Sequence, residues 1–407
     1  MEGYRPPSTL LLMNRKILRL NIIVFLYSLV ANLAHPVTPT FIKMLGLHDY
    51  MFGLAFGMMS LANFLFSPFW GKMAERFGPA RILTVTLLGY GAMQFFFGMS
   101  SKEWQICLAR LCGGFFIGAV SVSEIVFILK NSEQSGKDLA VMTMINSVVS
   151  QFGFLIGGFI GTIGVRLTFI VQAVSLASIG GLVLLLLRDS ETSTVNVTAS
   201  DFNPFADFAE SRDILSRYMI LFLAIVSLSS LGATCYEQCF NYYLTDRFSF
   251  PSSYNGVIKA MIGFVSLLTN YFIAMKLIRR TNTDRTIVWV YAVLTLMLLG
   301  VILIGSLYPF LIVNILFFGV NSVVATILHD MIVKHEPEQA AKVAGLYNSV
   351  RMLGSVIGSF AAGFIYELSP KAAFVLSAAA MSACMIISYL HRKESDSRER
   401  GLSNEPQ

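Results

Sequence analysis

Five ionisable side chains, Arg110, Glu124, Glu237, Lys259 and Arg351, stand inside long apolar runs of this chain. A charge at membrane depth is costly, and it is retained where it faces a water-filled cavity or a partner. The chemistry open to such a set is proton carriage and ion binding. Glu237 lies in Cys235-Tyr236-Glu237-Gln238-Cys239-Phe240-Asn241-Tyr242-Tyr243. A carboxyl in that setting takes up a proton and releases it when water or an opposing charge arrives; the alternative is an ion pair with Lys259, one span later. Glu124 is the second protonation candidate, or else a carboxyl paired with Lys130. It follows Arg110 by fourteen residues, so the two share one helix face about 21 Å apart. The five charges sum to +1, which leaves at least one cation without a carboxylate in the set. Arg351 has none in its own segment: it either binds an anionic group or pairs across helices with Glu237 or Glu124. Asn321 can hydrogen-bond but carries no proton, and His35 beside Pro36 reads as a packed, satisfied side chain.

These residues must be positioned by membrane-spanning helices. The chain has 407 residues, 55% hydrophobic and 13% charged, with mean hydropathy +0.66; soluble domains carry about 25% charged residues. Twelve apolar segments of about the length that crosses a bilayer fall at 17–41, 50–72, 82–100, 104–129, 138–163, 167–187, 215–244, 253–277, 286–307, 310–333, 340–366 and 371–390. With both termini cytoplasmic, 22 of the 30 Lys and Arg fall on inner segments and 5 on outer loops (Lys43, Lys102, Arg166, Arg247 and Lys371), as the positive-inside rule requires. The net charge of +6 therefore reports topology, and no nucleic-acid partner is expected. The five cysteines, Cys107, Cys112, Cys235, Cys239 and Cys384, all sit in apolar segments, which argues against disulfides or a zinc site. No cleavable signal is evident at the N-terminus, and Met13 is an alternative start.

The expected organisation is an N-terminal six-helix half, 1–188, a cytoplasmic linker, 189–214, a C-terminal half, 215–391, and a tail, 392–407. The linker opens as a solvated stretch, and Phe205, Phe208, Ile214 and Leu215 alternate with Asp207, Glu210, Arg212 and Asp213 in the manner of a surface amphipathic helix. Asn196-Val197-Thr198 matches a glycosylation acceptor, but its cytoplasmic placement makes the match meaningless. The halves echo each other. Met51-Phe52-Gly53-Leu54 aligns with Tyr254-Asn255-Gly256-Val257 at an offset of 203 residues, and Asn146-Ser147-Val148 with Asn348-Ser349-Val350 at 202. Related halves imply a pseudo-twofold axis along the membrane normal and a substrate site between them near the midplane.

The loop Gly71-Lys72-Met73-Ala74-Glu75-Arg76-Phe77-Gly78-Pro79-Ala80-Arg81 resembles the signature loop of the major facilitator superfamily, with Glu75 in place of the usual Asp. Arg110 followed by Gly113, Gly114 and Gly118 resembles that family's fourth-helix motif, whose arginine faces the cavity and is linked to proton transfer. Gly153-Phe154-Leu155-Ile156-Gly157-Gly158 resembles the antiporter motif of drug exporters, with Phe154 replacing its proline. The nearest resemblance is to Gram-positive proton-coupled multidrug efflux antiporters of the NorA type. On that likeness Glu237 stands at their seventh-helix glutamate and Asn321 at their tenth-helix aspartate, so one of two usual proton sites is absent.

The resemblance implies an all-α polytopic membrane protein with twelve helices in two pseudo-symmetric halves. It implies a transporter of small molecules that exports amphipathic drug-like compounds in exchange for protons by alternating access, in the cell membrane and as a monomer. The proton-coupling set is Glu237, Glu124 and Arg110. The substrate-cavity set is Arg351, Asn321, Tyr236, Asn241, Gln151 and Phe116, with Tyr242 and Tyr243 as further aromatics. Gly71, Glu75, Arg76, Gly78 and Arg81 form a conformational latch favouring the outward-facing state. Two other readings stay open: a dedicated transporter of an anionic metabolite or lipid-linked sugar, and a non-transporting receptor or scaffold. No phosphate loop, metal-ligand cluster or nucleophile–base pair is recognisable in the sequence, so no cofactor, ATP drive or enzymatic activity is expected.

Overall fold

The computed structural model of the chain describes residues 15–187, 189, 215–335 and 340–403. The amphipathic segment expected before span seven and the Asn196 acceptor lie outside them. The described residues form α1 (Arg15–Ala31), α2 (Thr38–Met44), α3 (Met51–Phe77), α4 (Pro79–Met99), α5 (Glu103–Asn131), α6 (Ser135–Ile163), α7 (Val165–Leu186) and α8 (Arg217–Phe248). They continue with α9 (Ser252–Thr269), α10 (Met275–Arg280), α11 (Thr283–Leu303), α12 (Leu307–His335), α13 (Ala340–Leu368) and α14 (Pro370–Ser403). A single π turn, Asn270–Ala274, joins α9 to α10, so Ser252–Arg280 makes one crossing.

Among the described residues, eleven crossings are continuous apolar helical segments long enough to span a bilayer. The remaining crossing is built differently from the unbroken span expected at 17–41. α1 stops after 17 residues, turns occupy 32–37, and α2 resumes with Pro39 in its first turn. Pro36 and Pro39 supply no amide hydrogens, and the ring of each restricts the residue before it; the pieces are tied instead by Thr38 N to Ala34 O at 2.9 Å and Phe41 N to Val37 O at 2.9 Å. α14 is also longer than the expected span, running helical through Ser403 where a tail was read from 392.

The helices pack as two groups. α3 lies on α5, α4 on α5 and α7, and α1 on α6 and α7; α8 lies on α13 and α14, α11 on α12 and α14, and α9 on α12. The groups meet along two main seams, α3 with α13 and α6 with α9. Buried apolar side chains fill the interior of each group, among them Leu20, Leu87, Phe127 and Leu176 in the first and Phe240, Tyr291, Phe317 and Met381 in the second. One end of the bundle carries the α3–α4 turn and Asp189, and is called here the linker end; the far end carries the α2–α3, α8–α9 and α13–α14 turns.

The turn at the linker end has a specific stop signal. Gly78 adopts φ +95, a conformation closed to most L side chains, and Pro79 then begins α4 with φ already suited to a helix. Asp189, read in the sequence as the start of a solvated linker, folds back over this turn. Its carboxylate accepts from Ala80 N at 2.7 Å and Arg81 N at 3.2 Å, satisfying orphan amides at the positive end of α4.

Candidate functional site

A cavity of about 560 Å³ lies between the helix groups, lined mainly by α6, α8, α9 and α12, with Asn32 contributed by the break in the first crossing. It sits on the linker-end side of the Gly158–Gly256 contact, where a Cβ on Gly256 would lie 2.6 Å from the Phe154 carbonyl. Glu237 and Asn241 reach it from consecutive turns of α8, because residues four apart share a helix face. Lys259 reaches it from α9, and Asn321 from α12.

Glu237 and Lys259 form an ion pair, Nζ to Oε1 at 3.2 Å. The two ends differ sharply in environment. The lysine side chain is 9% exposed and the glutamate 50%; the ammonium also stands 4.9 Å over the Phe154 ring. The lysine is therefore sequestered, while the carboxylate remains open to the cavity. Around the pair are amides and hydroxyls: Asn32, Asn146, Ser150, Gln151, Asn241 and Asn321. Asn32 is held by hydrogen bonds to Ser28 O at 2.7 Å and Ser150 Oγ at 2.9 Å. Phe154, Phe240, Ile262, Leu267 and Phe318 supply the apolar wall. A chamber with one half-sequestered charge pair and several open amides can bind a small organic solute in a fixed orientation.

A second cavity of about 210 Å³ adjoins the first through Asn321, which lines both. Its wall holds Arg351 with Ser230, Thr234, Tyr347 and Ser355. The Ser230 hydroxyl donates to the Arg351 carbonyl at 2.7 Å, anchoring the backbone at that point. Neither pairing weighed for Arg351 is formed: Glu237 is taken by Lys259, and among the described residues no carboxylate makes an ion pair with the guanidinium.

The other candidates are placed elsewhere. Arg110 is 4% exposed; it donates to Thr38 Oγ1 at 3.2 Å and stacks 3.8 Å from the Phe97 ring centroid. It borders a tight crevice with His35, Phe56 and Gln94 and does not line either solute cavity. Glu124 is 1% exposed in the interior of the first group, with Oε1 lacking a hydrogen-bond partner among the described residues. Lys130, weighed as its partner, donates instead to Glu75 O at 2.9 Å.

Tyr236 is fully buried and points away from the cavity, its hydroxyl donating to Asn314 Oδ1 and its ring packed 4.6 Å from Phe317. Its place one residue before Glu237 turns it about 100° around α8, into the core. Phe116 faces Gly89 and Trp70 between α4 and α5. In the signature loop, Arg76 stacks on Phe77 at 5.2 Å and Arg81 lies 3.8 Å from Asp189, so these arginine contacts stay on the first group's side.

The far end carries a network that sequence reading missed. Lys43 bridges Asp49 at 3.1 Å and Asp246 of α8. Tyr242 donates to Asp49 and Tyr366 to Asp246 at 2.9 Å, while the Tyr50 amide donates to Glu367 at 2.9 Å. Phe52 of α3 stacks on Tyr242 of α8 at 4.4 Å. Burial pulls the Lys43 ammonium down, but hydrogen bonds and charge from Asp246 and Asp49 outweigh it and raise the group above its ordinary value. The only signal in the sequence was an outer-loop lysine close to acids, which does not by itself name partners 203 residues away.

Comparison with known proteins adds the family. The chain is 22% identical over 387 residues to the quinolone resistance protein NorA of Staphylococcus aureus (strain MSSA476), covering 94% of this chain and 97% of that one. It is 23% identical over 364 residues to multidrug resistance protein 2 of Bacillus subtilis (strain 168), covering 85% and 87%. Among solved structures, a mutant of the nucleoside transporter NupG superposes with a TM-score of 0.76 at 13% identity, over 92% of this chain and 99% of that one. A bacterial homologue of the human lysosomal transporter Spinster gives 0.71 at 13%, over 96% and 98%. The first two likenesses are to drug-resistance proteins, and the last two show a shared fold. With the Major Facilitator Superfamily family model matching residues 20–359, this multi-pass membrane protein belongs to the major facilitator superfamily of transporters.

Proposed function

We propose that the chain is a proton-coupled antiporter that exports amphipathic organic compounds, working by alternating access in the cell membrane as a monomer with both termini cytoplasmic. The observation that carries the reading is the half-exposed Glu237 carboxylate, the one acid lining the central cavity among the described residues, sharing its proton-accepting oxygen with a sequestered lysine. A proton arriving at Glu237 releases Lys259, and release of the proton restores the pair, so the protonation of Glu237 sets the charge that a solute in the cavity meets. Residues 1–188 and 215–391 are taken as the rocking halves, with Gln151, Asn241 and Asn321 contacting solute.

The excess of Lys and Arg at the linker end supports placing that end in the cytoplasm. The central cavity then lies on the cytoplasmic side of a closed far end. On this reading the signature-loop latch, Gly71, Glu75, Arg76, Gly78 and Arg81, engages in the opposite state. Arg110 and Glu124 would serve coupling from the interior of the first half rather than at the solute. The drug-resistance relatives support the export direction.

The test is flux in proteoliposomes under an imposed pH gradient, using a cationic dye, a neutral aromatic ester and an aromatic carboxylate, for wild type and Glu237→Gln. The expected result is uphill movement of at least one probe that requires both gradient and carboxylate. Equal gradient-driven movement in Glu237→Gln, or none in folded wild-type protein, would overturn it. A dedicated transporter is the second reading, favoured by the amide and hydroxyl lining of the cavity.

A further inference from the structure

Arg351 is a cation that the transport cycle above does not use. Arg351 is exposed on a wall of the 210 Å³ cavity, which Ser230, Thr234, Tyr347 and Ser355 also line, and among the described residues no carboxylate lines that space. The other cation of the central region, Lys259, is committed to Glu237 at 3.2 Å and to the Phe154 face. Among the described residues the charges lining the two cavities are Glu237, Lys259 and Arg351, so once the pair is formed the net excess they leave is one positive charge, and it sits at Arg351.

A guanidinium offers five N–H donors in a planar fork that matches two oxygens of a carboxylate or phosphate. The Thr234, Ser355 and Ser230 hydroxyls donate along a chain that ends on the Arg351 carbonyl, and the Tyr347 hydroxyl is left to donate to a remaining lone pair of such a group. Asn321 joins this chamber to the larger one, whose Phe240 and Phe318 present aromatic walls. The two chambers therefore fit the two ends of one molecule.

We propose that Arg351 with Tyr347 forms an anion subsite, its backbone braced by the Thr234–Ser355–Ser230 hydroxyl chain, so that the transported compound is an amphipathic organic anion whose apolar body lies against Phe240 and Phe318. The inference rests on the transport reading above and adds the sign of the substrate's charge. Anionic oxygens dock in the smaller chamber and pass Asn321 to a body held beside the Glu237–Lys259 pair. A cation of the same shape meets Arg351 with like charge and gains little from Glu237, whose charge Lys259 already balances.

The experiment uses a naphthalene series of nearly constant shape on the purified full-length chain: 1-naphthylacetate, 1-naphthyl phosphate, the methyl ester of the first, and 1-naphthylmethylammonium. Binding is measured by calorimetry and flux in proteoliposomes. Both anions bind the wild type, and Arg351→Gln weakens them about ten- to hundred-fold, the worth of one charge-assisted pair, while the ester is unchanged and Arg351→Lys recovers part of the loss. Because the Ser230 hydrogen bond goes to the Arg351 carbonyl, the variants keep their backbone anchor, and unchanged ester binding reports an intact fold. Equal weakening of all four probes, or tighter binding of the ammonium than of the anions, overturns the subsite. Binding with the expected charge preference but no flux of any probe overturns the transport reading and leaves the subsite standing. Flux without charge preference does the reverse.

Discussion

Gly53 of α3 and Gly363 of α13 meet backbone to backbone, so a Cβ on Gly53 would collide with the Gly363 amide. Gly158 of α6 and Gly256 of α9 make the matching contact on the other seam, where a Cβ on Gly158 would fall 2.6 Å from the Ser252 carbonyl. Gly256 follows Gly53 by 203 residues, and Gly363 follows Gly158 by 205. Each seam is thus a repeat of the other with the halves exchanged. Small residues let membrane helices approach closely enough for dispersion contacts between backbones, and both contacts lie on the far-end side of the cavity.

Gly53→Val and Gly158→Val are therefore expected to prop the far end open. Transport falls below about a tenth of wild type, a loss of the order one overpacked contact imposes, and cysteines placed at the far-end turns become more accessible to a membrane-impermeant thiol reagent. Gly136, whose added Cβ meets nothing within 4 Å, is the control: Gly136→Ala leaves both readouts unchanged. Unaltered accessibility in Gly53→Val would remove the seam from the conformational change.

Lys43 is the cation of the far-end network, and Lys43→Ala is expected to weaken closure by on the order of 1 kcal/mol, since the side chain is 37% exposed and solvent screens such pairs. Asp246→Asn should act in the same direction. The Lys43 pKa is raised by its acidic partners, so its contribution is fully present below the ordinary lysine value of about 10.4 and is lost as pH rises through the raised one. Thiol accessibility at the far end measured from neutral to alkaline pH checks the sign: a loss of the Lys43 contribution already at pH 8 would contradict it.

Replacing one member of a sequestered pair costs more than replacing both. Glu237→Gln strands the buried Lys259 ammonium and is expected to lower stability by roughly 1 to 3 kcal/mol, whereas Lys259→Met leaves a carboxylate already half exposed to the cavity and costs less. The double variant should be more stable than Glu237→Gln alone. Thermal unfolding in detergent of the three variants reads this order, and additive losses would show that the two residues do not interact.

Asp189→Ala removes the carboxylate that receives the first amides of α4. The expected cost is about 1 kcal/mol, typical of a lost N-terminal cap, with Asp189→Asn retaining part of it. Amide exchange at Ala80 and Arg81 is the direct measurement, and protection there should fall before it falls elsewhere in α4.

The sequence by itself determined the membrane class, the number of crossings and the residues that carry charge within them, because each is a property of local composition read along the chain: a run of apolar residues, the loops that hold Lys and Arg, a charge within a span. Its repeat also marked one glycine of each seam, Gly53 and Gly256, and it singled out Glu237, Asn241, Gln151, Asn321 and Arg351, which line the two cavities. Tertiary structure decided the partners. Apolar residues surround nearly the whole of a membrane helix, so periodicity does not say which side faces the cavity; Tyr236 in the core beside Glu237 at the solute is the result. Pairing across helices depends on distance and azimuth between segments hundreds of residues apart, and so the choice of Lys259 over Arg351 by Glu237, and the far-end links from Lys43 to Asp246, came only with the packed bundle.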